Sequence, residues 1–222
     1  MFQPAEWKRP ETRFTRGRNR SLTHDAATCP AVSIGGGNKM KGQIATAREI
    51  KARWAFSEVR SDRFGGPYSN MLAQPLYDQV NAGCHFEDLP ESCWDDLIQG
   101  LNTARQASFT GIIDAFGLGG YVCTEWSVED LMNARVIPKF GEGLCYREFL
   151  TMSPMSQLSG ALDLCDPRFK AWATPVKTAS FVQTEPLISI KAGADHMLIE
   201  GYTRSILWVR NPGRSLLMWV SM

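Results

Sequence analysis

The chain has no run of apolar residues approaching the ~18 that a membrane-spanning helix requires, so no membrane partner is expected. Its first twenty residues carry Glu6, Lys8, Arg9, Glu11, Arg13, Arg16, Arg18 and Arg20. That crowding leaves no place for the apolar segment of a secretion signal, and cytoplasmic residence is the expectation. Cysteine is present but not patterned: Cys29, Cys84, Cys93, Cys123, Cys145 and Cys165 contain no Cys-x-x-Cys pair. Neither a disulfide framework nor a common zinc spacing fits them, Cys84-His85 with Cys93 being the nearest approach, and buried free thiols are expected instead. Ser-x-x-Lys, His-Glu-x-x-His and Gly-x-Ser-x-Gly are also lacking, which argues against the common hydrolase classes that carry them. There is no internal repeat and no low-complexity block.

What is present is the composition of a globular protein: 222 residues, 44% hydrophobic and 21% charged, enough for one large domain or two small ones. The net charge of +1 conceals a division. Residues 1–63 hold thirteen Lys/Arg against six Asp/Glu, and the remainder eleven against seventeen. Arg13, Arg16, Arg18 and Arg20 sit around Phe14 in a segment with neither helical nor strand period. Such an arm either follows a DNA phosphate backbone or docks on the acidic remainder of its own chain. The glycines of Ile34-Gly-Gly-Gly-Asn-Lys39 lack the spacing of a phosphate loop and are read as an ordinary loop.

Apolar spacing predicts a helix over 44–60, with Ala47, Ile50, Trp54 and Ala55 on one face. A second is predicted from near Pro90, with Cys93, Leu97, Leu101 and Ala104 in a stripe. The glycine-rich stretch 109–121 is left between a short helix and a turn. Ser127-Val-Glu-Asp130 reads as a capping box opening a further helix, and Ser153-Pro154 and Asp166-Pro167 as starts of two short ones. Beyond residue 185 the pattern becomes strand-like. Strands are predicted over 186–190, 196–199 and 215–220, with a helix over 203–209 between the last two.

Chemistry concentrates in Glu200-Gly201-Tyr202-Thr203-Arg204, between the second of these strands and that helix. Glycine there lets the backbone approach a ligand, and the arginine fork and threonine hydroxyl suit phosphate oxygens. An arginine in a first helical turn opposes the helix dipole unless an anion lies between them. The other reading is an ordinary strand–helix turn in which Arg204 pairs with Glu185 or Glu200. Tyr202 is open to stacking on a base or to packing beside the turn. His196 is open to a general-base or a turn-flanking role.

The segment His196-Met-Leu-Ile-Glu-Gly-Tyr-Thr-Arg-Ser-Ile-Leu-Trp-Val-Arg210 resembles the Gly-x-x-Arg signature of the ParB/sulfiredoxin superfamily. There a strand ends in an acidic residue and glycine, and a helix opens with an arginine. The resemblance covers about forty residues. It implies a nucleotide- or phosphate-binding pocket formed by Gly201, Tyr202, Thr203 and Arg204, with Glu200 assisting catalysis or a divalent metal such as Mg²⁺. No cysteine lies near the turn, which departs from the sulfiredoxins. No DNA-reading module follows the last strand here, which departs from the partition proteins.

The expected architecture is therefore α+β: a basic irregular arm (1–43), a mainly helical region (44–150) and a small mixed-sheet domain of ParB/sulfiredoxin type (151–222). The expected function is nucleotide or phosphate binding with cleavage of a phosphoanhydride or phosphodiester, of ATPase or nuclease type. The alternatives are a regulator that binds nucleotide or DNA without turnover, and a pure interaction protein with a degenerate pocket.

Overall fold

In the computed structural model the described residues are 40–61, 65–138, 142–152, 185–202, 204–205, 208 and 216–222. The chain enters through a two-residue strand, β1 (Ile44–Ala45), and turns at Thr46 into α1 (Ala47–Val59). The Thr46 hydroxyl accepts from the Glu49 amide at 3.1 Å, which satisfies a free N–H of the first turn and sets the helix start there rather than at Ile44. α1 is covered on nearly every side: Ile50, Ala52, Trp54, Ala55, Phe56 and Val59 are buried, and so are Arg53 and Glu58. A one-faced amphipathic helix was expected. A helix enclosed all round must instead bring polar partners inside with it.

Short helices α2 (Gly65–Tyr68) and α3 (Gln74–Asn81) follow, then two 3₁₀ turns (Phe86–Asp88, Glu91–Cys93) leading into α4 (Trp94–Arg105). Leu97 and Leu101 are fully buried as expected, whereas Ala104 is exposed. α5 (Ala107–Thr110) and α6 (Ile112–Phe116) occupy the stretch that the sequence left open. The Tyr121 hydroxyl donates to the Ile113 carbonyl at 2.9 Å, tying α6 to the strand that comes next.

That strand, β2 (Tyr121–Trp126), was not anticipated. It precedes α7 (Val128–Asn133), whose expected capping box is formed reciprocally by Ser127 and Asp130. β3 (Arg135–Val136) and α8 (Tyr146–Met152) complete the middle region. β4 (Leu187–Ala192), β5 (Asp195–Glu200) and β6 (Leu216–Ser221) then appear where strands were predicted. The helices predicted at Ser153 and Asp166 lie outside the described residues.

The six strands of the described residues join one mixed sheet in the order β1-β2-β6-β4-β5-β3. β2 pairs antiparallel with β6, from Tyr121↔Ser221 to Trp126↔Leu216, while β4 runs parallel to β6 and β3 parallel to β5. β6 is buried at every position, as a central strand covered on both faces must be. The α+β class holds. The sheet, however, takes three strands from before residue 150 and three from after 185, so it runs across the division expected at 150/151.

Candidate functional site

β5 ends in Glu200, and Gly201 follows with φ +102°, a left-handed conformation that a side chain disfavours. A Cβ at Gly201 would overlap the Leu187 side chain of the neighbouring strand, so the glycine is also required by the close approach of turn and sheet. Residues 202, 204, 205 and 208 have helical backbone, and the Ser205 amide donates to the Gly201 carbonyl at 2.8 Å, closing the first turn. Strand, glycine and helical turn thus succeed one another as the sequence predicts.

Tyr202 does not face outward. It is buried, its ring stacks on Tyr146 and meets Phe149 edge-on, and its hydroxyl donates to the Leu198 carbonyl at 2.6 Å while accepting from the Ile137 amide at 2.9 Å. The expectation that Tyr202 contacts a nucleotide is therefore corrected. The residue anchors the turn to the segment after β3, and burial raises its hydroxyl pKa. Thr203 lies outside the described residues, as do Arg13, Arg16, Arg18 and Arg20 of the basic arm.

Arg204 is the group that gives the turn its charge. One terminal nitrogen donates to the Glu200 carboxylate and the other to the backbone carbonyl of Glu185, where the chain enters β4. The two side chains of the ion pair are 16% and 17% exposed, so the pair is mostly buried. Burial raises the Glu200 carboxyl, opposed by Arg204 and reinforced by the like charge of Glu58.

Around this pair lies a network that sequence reasoning did not find. Arg53 of α1 holds three carboxylates, Glu49 and Glu87 at 2.9 Å and Glu185 at 3.3 Å, while its guanidinium lies 4.1 Å over the Phe86 ring. Glu58, one turn further along α1, accepts from Trp54 Nε1 and the Tyr68 hydroxyl at 2.9 Å and from Arg105 Nε at 2.7 Å. Burial, with Glu87 beside it, pushes the Glu185 carboxyl up to about 7 in spite of Arg53. The single early signal was local. Glu49 and Arg53 stand in one helix at the i,i+4 spacing of an ion pair.

The carboxylate expected to hold a metal has a partner within the chain. The Glu200 carboxylate is engaged by Arg204, and the neighbouring Glu58 carboxylate by an indole, a phenol and a guanidinium. Among the described residues no group of three or more His, Cys, Asp or Glu side chains is arranged to hold a metal ion. His196 does not join the site: its ring meets Trp126 edge-on at 5.5 Å. The thiols were expected to be buried, but of Cys84, Cys93, Cys123 and Cys145, which are free, only Cys123 is buried, and burial pushes it up to about 11, far from a reactive thiolate; Cys29 and Cys165 lie outside the described residues. Comparison of the chain with protein-family models, with curated proteins and with solved structures finds no match.

Proposed function

We propose that the protein binds a phosphate-bearing ligand, of the nucleotide class, at the turn formed by Glu200, Gly201 and Arg204. The observation that carries this reading is the placement of Arg204. A guanidinium lies in the first turn after a strand-ending glycine, held by the Glu185 carbonyl, on a side chain that is 16% exposed. A planar fork so placed matches phosphate oxygens, and in a partly buried setting the attraction is weakly screened. The ParB/sulfiredoxin-like order of strand, acidic residue, glycine and arginine supports the same reading.

Arg204→Ala should weaken binding of ATP, CTP or GTP by roughly 1.5–3 kcal/mol, the scale of a charged hydrogen bond. Isothermal titration with and without Mg²⁺ measures this. Equal affinity in the variant removes Arg204 from the ligand. Phosphate release by the wild type that Arg204→Ala abolishes assigns phosphoanhydride cleavage to this turn. Binding without release assigns a regulator that holds nucleotide or DNA without chemistry.

A second reading has its own observation. Both terminal nitrogens of Arg204 already have protein partners, which is the arrangement of a structural clasp between β5, the turn and the entry to β4. Under that reading Arg204→Ala destabilises the fold and the wild type binds no nucleotide.

A further inference from the structure

A carboxylate and a phosphate offer a guanidinium the same pair of closely spaced oxygen acceptors, and at Arg204 one such acceptor is already supplied from within the chain. We infer that Glu200 is an internal competitor at Arg204, holding the position a phosphate oxygen takes, and that ligand binding proceeds by its displacement. This rests on the reading of Arg204 as the phosphate-binding residue.

Three features of the surroundings single out Glu200 as the partner that leaves. Its side chain and that of Arg204 are 17% and 16% exposed, so the pair is not sealed wholly within the core. The other partner of Arg204 is a neutral backbone carbonyl at the entry to β4, which keeps the guanidinium in place when the carboxylate departs. The charge of Glu200 is opposed by Glu58 of α1 and favoured less strongly by Arg105, which is itself bonded to Glu58. Glu58, by contrast, is fixed by Trp54, Tyr68 and Arg105 together and is not released so readily. Glu200 is thus held chiefly by one arginine and pushed by one carboxylate. Removing its charge leaves Arg204 partly buried without a counter-charge, and a dissolved anion then supplies it.

Pyrophosphate, titrated calorimetrically into wild type, Glu200→Gln, Glu200→Asp and Arg204→Ala, tests the inference, with circular dichroism confirming the fold of each. Glu200→Gln keeps the size of the side chain and loses its charge, and it should bind roughly tenfold or more tightly than wild type. Glu200→Asp withdraws the carboxylate by one methylene and should bind more tightly by a smaller factor, while Arg204→Ala should not bind. Affinity in Glu200→Gln equal to or weaker than in wild type overturns the competitor role and leaves Arg204 as the binding residue. No binding by either protein overturns both the competitor and the phosphate site beneath it. Should Glu200→Gln fail to fold, the comparison of Glu200→Asp with wild type decides in the same way.

Discussion

Glu185 faces Arg53, the carboxylate of Glu87 and, through its backbone carbonyl, Arg204, and its carboxyl titrates near 7 because burial outweighs the pull of Arg53. A carboxyl raised from 4.5 to about 7 keeps its proton in the folded protein after the unfolded chain has lost it. Its contribution to stability is therefore complete below the unfolded value and lost as pH rises through the window between the two. The loss is on the order of 3 kcal/mol, with Glu200 adding to it in the same direction. Asp130 and Glu148, lowered by hydrogen bonds at helix starts, act oppositely and at lower pH, but both are exposed and contribute little. Urea denaturation at pH 5, 6, 7 and 8 should show stability falling with pH in wild type, and falling much less in Glu185→Gln. An equal fall in both proteins would assign the effect elsewhere.

Helix α1 carries polar groups inward among its buried apolar residues, and Glu58 is the clearest of them. Glu58→Ala leaves Arg105, Tyr68 and Trp54 without their shared acceptor in a buried setting, and should cost about 3–5 kcal/mol, read from the denaturation midpoint. Glu58→Gln, which keeps an acceptor oxygen, should cost less. The helix itself could be read from its apolar spacing, and so could α7 from Ser127 and Asp130 and the three later strands from their β-rich runs. Each of those signals lies within a dozen residues. β2 could not be read the same way, because Gly117, Gly119 and Gly120 beside Tyr121 signal a turn and hide the alternation that follows. β1 and β3, two residues each, exist only through their partners. At the site the Glu200–Arg204 pair was visible as a spacing of four. Arg53, Glu58 and Arg105 were not, since they come from α1 and α4 and reach this turn only through folding.

At the scale of the whole molecule, the sheet decides which pieces can stand alone. A fragment beginning at residue 151 keeps β4, β5 and β6 but loses β2, exposing one side of a strand that reads Leu-Leu-Met-Trp-Val-Ser and is buried throughout. An apolar edge of that kind pairs with other copies. Residues 151–222 expressed alone should aggregate on gel filtration, and a well-dispersed monomeric NMR spectrum would contradict this. The same topology imposes an order on synthesis. The strand at the middle of the sheet is made after both of its neighbours, with 90 positions separating Trp126 from Leu216. At cellular elongation rates that interval is on the order of 10 s. Throughout it the inner edge of β2 has been translated and awaits its partner, and the edge of β4 joins it for the last 24 positions, between Ala192 and Leu216. A nascent chain of this protein is thus most exposed to mispairing in the seconds before its central strand leaves the ribosome, and holding those two edges apart is the task it sets for a chaperone.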